Sequence, residues 1–368
     1  MKVCILSMQR VPNFGSLLQG YSLKSMLEEL GHEVCFIDIE ENEEDDSLVK
    51  AYRKSFSGEY GTSNKKKIDK YIMNRILTKV KNKKQKRLMD QFQSEIINLD
   101  CNNSTEQYDC CVIGSDEVFN ALNASEWGFT SQLFGNVPQA KNVITYAASS
   151  GFTNYEDLSQ GAIDLIVESF KNISAFSVRD ENTKQFVGKM TDKVIEMNYD
   201  PVIVGDFSTE SKKQRIIKGL PQKYCIVYAY HNRINDKSEI QAIKKLCKDK
   251  GLTIVSVGAS QFWINKHLVL NPFQIPYVFE HADFVVTDTF HGTIFASKYS
   301  SRFGILVRKS NENKLNDLID KLQISDHRIE CVTKMSQVYE LKHDLMTMHE
   351  IEERERVRTL DYLKRYCR

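Results

Sequence analysis

A histidine and an arginine stand at places in this chain where each could take part in catalysis. His291 lies in the segment TDTFHGT, where a buried strand over 284–287 is predicted to lead into a helix that opens at Thr293. A histidine at a helix N-terminus can exchange protons near neutral pH, and the helix dipole there attracts anions. The alternative is that His291 only ties down its own turn.

Arg179 ends a predicted apolar strand over 175–178, at a position where a core residue would otherwise stand. Its planar guanidinium suits a carboxylate or phosphate ligand. Asp180 follows and is predicted to cap the next helix. A purely structural pair between Arg179 and Asp180 is the alternative interpretation.

Two further loops bring polar groups to strand ends. In NFGSLLQ, Gly15 would let the backbone approach a ligand, and the helix behind it offers free N–H groups. In IGSDEVFN, Ser115 and Asp116 follow a buried strand over 110–113 and could face a ligand. Each loop also has a structural interpretation, as an ordinary turn or as a helix cap.

The elements that carry these loops predict an α/β fold. An apolar strand over 3–6, a helix over 16–30 and a strand over 34–39 form a βαβ unit, and strand and helix alternate again from residue 224. Loops at the carboxyl ends of such strands form ligand sites. We therefore expect two Rossmann-like domains facing a cleft.

The predicted domains follow from where this alternation stops and restarts. The N-terminal domain spans 1–207 and contains a charged helical insertion at about 40–107; the C-terminal domain spans 219–332, after a polar linker over 208–218. A helical tail over 333–368 is expected to pack back on the N-terminal domain.

The insertion separates its charges. Residues 40–46 hold six acids, whereas residues 64–87 hold eleven Lys and Arg against one acid, with Ile68, Ile72, Ile76 and Val80 at helical spacing. This amphipathic basic helix either contacts an anionic membrane surface or packs on its own domain with a solvated basic face.

Composition excludes several classes of partner. Fifty Lys and Arg against forty-nine Asp and Glu give a net charge of +1, which argues against a nucleic-acid partner. Nine cysteines without a C-x-x-C pair predict reduced thiols in a cytoplasmic protein. No apolar stretch reaches the ~20 residues of a membrane span, and no residues show metal-ligand spacing. We expect a cytoplasmic protein, either free or peripheral at the inner membrane face.

The ordered set NFGSLLQGYSL, IGSDEVFN, SVRDENT, Asp200-Pro201 and TDTFHGT resembles the polysaccharide pyruvyl transferase family. The resemblance runs from residue 3 to about residue 310. Glu117 and Phe119 stand where the family more often has Gln and Trp, and Thr289 stands where Ser is common. The change at Phe119 could alter stacking on the acceptor.

The resemblance implies a GT-B-like architecture and a pyruvyltransferase that uses phosphoenolpyruvate as donor and a nucleotide-, lipid- or glycan-linked saccharide as acceptor, without a metal or organic cofactor. It implies that Arg179 anchors the donor and that His291 is an acid/base group or a phosphate contact. The further substrate-binding residues that we predict are Asn13, Gly15, Gln19, Gly114, Ser115, Asp116, Asn120, Asp288, Gly292 and Thr293.

Two other functions remain open at this stage. A GT-B glycosyltransferase would use the same fold with a nucleotide sugar, and the missing G-x-G-x-x-G after the first strand argues only against dinucleotides. A glycan-binding relative without catalysis would keep the cleft, although a passive scaffold has no need for both Arg179 and His291.

Overall fold

A computed structural model describes residues 1–40, 72–97, 106–122 and 129–368, with the backbone alone for residues 72–80. The acidic run over 41–46 and residues 64–71 of the predicted basic helix therefore lie outside the described residues. Within the described residues the chain forms two parallel β-sheets covered by helices.

The first sheet has six parallel strands in the order β2-β1-β3-β4-β5-β6. Its central strands are buried on both faces, which explains why the strands around Val3 and Val112 are unbroken apolar runs. The strands are β1 (Lys2–Leu6), β2 (Glu33–Phe36), β3 (Tyr108–Asp116), β4 (Ala140–Ala148), β5 (Ile173–Val178) and β6 (Ile195–Met197).

Six α-helices accompany this sheet in the described part of the domain. The first begins after Asn13, whose side-chain oxygen accepts a hydrogen bond from the Ser16 N–H at 2.8 Å. The helices are α1 (Phe14–Glu29), α2 (Ile72–Phe92), α3 (Gln160–Phe170), α4 (Glu181–Gly188), α5 (Pro201–Val204) and α6 (Ser208–Lys212). The last of them occupies the start of the predicted linker.

The second sheet has four parallel strands in the order β10-β9-β7-β8. They are β7 (Tyr224–Ala229), β8 (Thr253–Gly258), β9 (Phe284–Thr287) and β10 (Phe303–Ile305). Its helices are α7 (Lys237–Lys250), α8 (Ile275–Glu280), α9 (Phe290–Tyr299), α10 (Glu312–Lys321) and α11 (Met335–Glu340). The predicted α/β class with parallel sheets is confirmed.

The final helix, α12 (Leu345–Tyr366), returns to the first sheet. The Tyr362 hydroxyl donates to the Thr145 carbonyl at 2.9 Å, and the Asn142 amide donates to the Tyr366 carbonyl at 2.8 Å. These bonds fix the end of the chain against β4.

One apolar cluster runs through both domains. It includes Val3 and Val112 of the first sheet together with Tyr228 and Val285 of the second. Because burial of apolar surface is the main favourable term in association, this shared core stabilises the two domains against each other. The ends of both sheets are therefore held together by a packed interface.

Several elements differ from the predictions. Helix α9 begins at Phe290 rather than at Thr293, because the Thr289 side chain caps it by accepting from the Gly292 N–H at 3.0 Å. Strand β3 runs on to Asp116 and no helix follows it directly, so the alternative interpretation of that loop as a helix cap does not hold. Strand β6 was not predicted, since three half-buried residues give no apolar run.

Candidate active site

The carboxyl ends of both sheets meet at a cavity of about 310 Å³ between the two domains. This is the cleft expected of two facing Rossmann-like domains, at the place where open α/β sheets bind ligands. Polar side chains from the first domain and aromatic side chains from the second share its wall. The lining residues that matter below are Asn13, Asp116, Glu117, Arg179, Tyr228, Tyr230, Phe290, His291 and Lys314.

His291 lies in the first turn of α9 and packs against the N-terminus of α1. A Cβ atom on Gly15 would lie 2.2 Å from both Cγ and Nδ1 of the His291 ring, so only glycine fits at this position. Gly15 thus permits close approach of the His291 imidazole. The sequence had instead predicted close approach of a ligand. Two helix N-termini consequently converge on the cavity.

Asp200 is the carboxylate partner of His291. The Nε2 atom of His291 lies 3.6 Å from Oδ2 of Asp200, which is too long for a good hydrogen bond but close enough for strong coulombic attraction. That Nε2 atom is buried and has no hydrogen-bond partner in the described part of the chain. Burial acts to raise the pKa of Asp200, but attraction to His291 and Arg179 outweighs it and lowers the pKa to about 2.

Arg179 is buried at the end of β5 and is surrounded by carboxylates. Its guanidinium donates to Asp200 at 2.8 Å and to Asp116 at 3.3 Å, and it lies 4.0 Å from Asp180. Burial acts to lower the pKa of Arg179, but the three carboxylates raise it. The guanidinium also lies 4.3 Å from the ring centroid of Phe290, in a cation–π contact across the domain boundary.

Asp116 connects this ion cluster to helix α1. Its Oδ2 atom accepts a hydrogen bond from the Ser16 hydroxyl at 2.7 Å, next to the Asn13 cap. Its backbone adopts the left-handed conformation (φ 72°), which aspartate tolerates better than most residues. A continuous chain of contacts therefore runs from Asn13 through Asp116 and Arg179 to His291.

A second ion pair crosses the cleft. The Lys314 ammonium of α10 donates to the Glu117 carboxylate at 2.5 Å, and the Asn120 amide donates to the same carboxylate at 2.8 Å. Burial acts to raise the pKa of Glu117, but the charge of Lys314 outweighs it and lowers the pKa to about 2. Asn120 thus meets the cavity only through Glu117.

Several residues predicted from the first domain lie behind the cavity wall. Gln19 is fully buried, donates to the Ser7 hydroxyl at 2.6 Å and accepts from the Ser115 N–H at 3.1 Å. The Ser115 hydroxyl donates to the Ala147 carbonyl at 2.8 Å. A Cβ on Gly114 would lie 2.1 Å from the Tyr146 carbonyl oxygen. These groups join the ends of β1, β3 and β4.

The residues predicted around His291 are also buried. The Thr293 hydroxyl donates to the Thr289 carbonyl at 3.0 Å, and a Cβ on Gly292 would lie 2.1 Å from the Thr287 hydroxyl oxygen. Both residues therefore shape the first turn of α9, and they set the position of the imidazole rather than lining the cavity.

Asp288 faces away from His291, into the loops of its own domain. Its carboxylate accepts from the Arg308 Nε at 3.1 Å and pairs with the Arg233 Nε at 3.4 Å. Burial raises its pKa despite these two cations. Arg308 in turn donates two bonds to Glu239, at 2.6 and 2.9 Å.

Phe119 lies in the core of the first domain. Its side chain is fully buried and stacks on Phe134, with ring centroids 5.4 Å apart. It is not available to stack on an acceptor, so the sequence-based concern about this position is wrong.

Several residues of the site were missed by the sequence reasoning, among them Asp200, Glu117, Lys314 and Tyr230. Asp200 belonged to a quoted motif but received no role, although an Asp-Pro pair at a helix start marks a cap. Lys314 and Tyr230 gave no signal, because one is a lysine on an amphipathic helix and the other directly follows an apolar strand. In the described ranges, no group of three or more His, Cys, Asp or Glu side chains is placed to hold a metal ion.

The fold and the site together define a GT-B-like α/β protein with a polar cavity between its domains. The family model described as polysaccharide pyruvyl transferase matches residues 13–300, and the chain belongs to that family. The resemblance drawn from the motifs is thereby confirmed. No curated protein matches the chain.

Solved structures with a similar fold have low sequence identity to this chain. The UDP-GlcNAc 2-epimerase of Methanocaldococcus jannaschii, in complex with UDP-GlcNAc and UDP, has 10% identity and a TM-score of 0.49, over 98% of this chain and 100% of that one. The Neisseria meningitidis UDP-GlcNAc 2-epimerase has 11% identity and a TM-score of 0.48, over 100% and 99%. The calicheamicin glycosyltransferase CalG4 has 11% identity and a TM-score of 0.42, over 99% and 98%.

Proposed function

We propose that this protein transfers a pyruvyl group from phosphoenolpyruvate to a sugar of a surface polysaccharide or of its precursor, forming a ketal. The observation that supports this most is the placement of His291. Its imidazole lies at the N-terminus of α9 beside the cavity, with Asp200 3.6 Å away and a buried Nε2 atom that lacks a hydrogen-bond partner in the described chain.

The donor carries a carboxylate and a phosphate, so its site must supply cations and free N–H groups. Helices α1 and α9 both begin at the cavity, and the first N–H groups of a helix have no acceptor within it. Arg179 and Lys314 add a guanidinium and an ammonium. Donor oxygens would replace part of the contacts that Asp116 and Glu117 now make to these cations.

The reaction balances without a redox partner. C3 of phosphoenolpyruvate gains a proton, and one sugar hydroxyl adds to C2. A second hydroxyl then bonds to C2 as the bond between C2 and the phosphate oxygen breaks, giving the ketal and inorganic phosphate. Of the two protons lost by the hydroxyls, one balances the proton gained at C3 and the other leaves with the phosphate.

His291 is the group that we assign to this proton movement. A positioned acid/base group of this kind typically contributes 10²–10⁴-fold to a rate. When the imidazole is protonated, the Asp200 carboxylate stabilises it, and the low pKa of Asp200 keeps that carboxylate ionised. Arg179 donates to the same Oδ2 atom of Asp200 at 2.8 Å and so fixes its position.

A lipid-linked acceptor would bring the protein to a membrane surface. Helix α2 contributes Gln85 and Met89 to the cavity wall, while Lys83, Lys84 and Lys86 on the same helix are exposed. No helix in the described ranges is long and apolar enough to cross a bilayer. We propose peripheral contact of α2 with anionic lipid.

Vesicle sedimentation tests this contact. Anionic vesicles should bind the protein at low salt and release it at high salt, because surface charges are screened. If anionic vesicles do not bind it at low salt, the membrane contact is ruled out.

The proposed donor is tested by thermal unfolding in the presence of ligands. Phosphoenolpyruvate should raise the melting temperature, because a ligand that binds only the folded state stabilises it by about 2.7 kcal/mol at a hundred times its Kd. UDP-glucose and similar sugar nucleotides form the comparison arm. Stabilisation by a sugar nucleotide, with none by phosphoenolpyruvate, would favour a glycosyltransferase instead.

A further inference from the structure

Two aromatic side chains are exposed at the edge of the cavity. Tyr230 and Phe262 have 56% and 50% of their surface accessible, and no other Phe, Tyr or Trp side chain in the described part of the chain is exposed. Tyr230 lines the cavity, and Phe262 lies three residues beyond Ala259, which also lines it. We call this pair the aromatic rim.

The loops that carry the aromatic rim are bonded to each other. The Phe262 N–H donates to the Asn232 side-chain oxygen at 2.8 Å, and the Gln261 amide donates to the Tyr230 carbonyl at 2.8 Å. The Trp263 indole N–H donates to the Ile234 carbonyl at 2.9 Å. Hydrogen bonds therefore hold the two loops together. The loops would lose little conformational freedom when a ligand binds.

Arg233 fixes the Tyr230 ring further. Its guanidinium lies 5.2 Å from the ring centroid and is itself held by Asp288 at 3.4 Å and by the Ser310 hydroxyl at 2.7 Å. The buried Asp288 carboxylate, which the cavity does not use, thus has a function in orienting the rim. The exposed area of Tyr230 is left for a ligand.

We infer that the aromatic rim is an acceptor subsite for a glycan chain, on which sugar units beyond the reacting one stack. This rests on the proposed transfer to a saccharide. The apolar face of a pyranose packs on an aromatic ring, and two rings outside the cavity match an acceptor of at least two sugar units. The substrate class is therefore an oligosaccharide rather than a monosaccharide.

The charges beside the rim favour a glycan over a nucleotide. A nucleobase stacked on Tyr230 would bring a diphosphate with it, and a diphosphate needs cations. Among the half-buried cations of this wall, Arg233 and Arg308 are paired with Asp288, and Lys314 belongs to the proposed donor site. A neutral sugar chain requires none of them.

Binding of defined sugars tests the subsite. Glucose, cellobiose, cellotriose, lactose and UMP would be titrated against the parent protein, Tyr230→Ala, Phe262→Ala and the conservative Tyr230→Phe, using saturation-transfer NMR. In the parent, the di- and trisaccharides should bind about tenfold more tightly than glucose, as one aromatic stacking contact of ~1.4 kcal/mol predicts. Both alanine variants should lose this advantage, and Tyr230→Phe should keep it.

Three results would overturn the subsite. The first is that di- and trisaccharides still bind more tightly than glucose after both alanine substitutions. The second is that UMP binds and that its binding depends on Tyr230. The third is that no glycan binds to the parent. Thermal stabilisation by phosphoenolpyruvate, measured on the parent and on Phe262→Ala, should be equal in both. If phosphoenolpyruvate stabilises the protein but the sugars do not bind as expected, only the subsite is wrong. If phosphoenolpyruvate does not stabilise the parent, the proposed donor is wrong.

Discussion

The two walls of the cavity present their functional groups in opposite ways. The first-domain wall is a chain of buried charges from Asp116 through Arg179 to Asp200, which ends at His291. The second-domain rim exposes Tyr230 and Phe262 on cross-linked loops. The first wall requires the burial of charges and holds them in fixed positions. The rim of the second wall is open to solvent.

This difference indicates a division between chemistry and recognition. Burying ions costs several kcal/mol for each ion unless they are paired, so a buried network at a cavity indicates a need for charges in fixed positions. Exposed rings carry no such cost and accept ligands of varied shape. Substitutions in the first wall should therefore reduce turnover and stability, whereas substitutions at the rim should change only the preference for acceptor length.

The largest effect is expected at the end of the buried chain. His291→Ala or His291→Asn should lower turnover by at least ~100-fold, because the acid/base group is lost. Turnover and melting would be measured on the same preparation, with the exposed His349→Ala as the matched control. An earlier-melting variant whose folded fraction keeps normal turnover would show that His291 only stabilises its turn.

The next effect concerns the guanidinium. Arg179→Lys keeps the charge but loses the paired N–H donors of the planar guanidinium. It should weaken phosphoenolpyruvate binding by on the order of 1.5–3 kcal/mol, or about ten- to a hundredfold. Calorimetric titration measures this, with Arg365→Lys on α12 as the exposed control. Unchanged affinity for phosphoenolpyruvate would place Arg179 outside the donor site.

The contact between the two helix N-termini can be disturbed without touching a charge. Gly15→Ala places a methyl group 2.2 Å from the His291 ring, so it should cost ~1–3 kcal/mol of stability and reduce turnover by displacing the imidazole. Gly188→Ala is the matched control, since its nearest neighbour would be 3.7 Å away. Equal turnover in both variants would contradict the tight packing of His291 on α1.

The smallest effect is expected at the ion pair that crosses the cleft. The pKa of Glu117 is lowered to about 2 in the folded protein, against ~4.3 in an unfolded chain. Its stabilising contribution is therefore complete above pH ~4.3 and is lost as the pH falls towards 2.

Glu117→Gln removes this contribution. The difference in urea midpoint between the parent and Glu117→Gln should be largest near pH 6 and should shrink as the pH falls to 3. Glu353→Gln, at an exposed position, is the control. A constant difference across this range would show that the Lys314 pair contributes nothing to the pH dependence.

Sequence patterns were informative where periodicity is strong. The unbroken apolar runs around Val112, Phe176 and Val286 predicted parallel strands, and the loops after them predicted where Asp116, Arg179 and His291 would meet. This works because the carboxyl ends of parallel strands lie at one edge of the sheet.

The remaining features depend on tertiary contacts that no local pattern encodes. Lys314 is one of several charged residues on an amphipathic helix, and only the packing of α10 across the cleft brings it to Glu117. Gln19 and Ser115 carry chemistry-bearing side chains, yet the Gln19 amide accepts from the Ser115 backbone N–H and the Ser115 hydroxyl donates to the Ala147 carbonyl, so both side chains point inward. Exposure of Tyr230 follows from bonds between two loops about thirty residues apart.

The central claim is that C2 of phosphoenolpyruvate becomes a ketal carbon on a saccharide. The direct measurement is NMR of the products formed from phosphoenolpyruvate isotope-labelled at C2, with glycan fragments of increasing length as acceptors and phosphate release followed in parallel. We predict that label appears in a ketal signal on the glycan, in equal amount to the phosphate released, and that neither forms with His291→Ala. Phosphate release without label on the glycan, or glycosyl transfer from a sugar nucleotide in its place, would contradict the account.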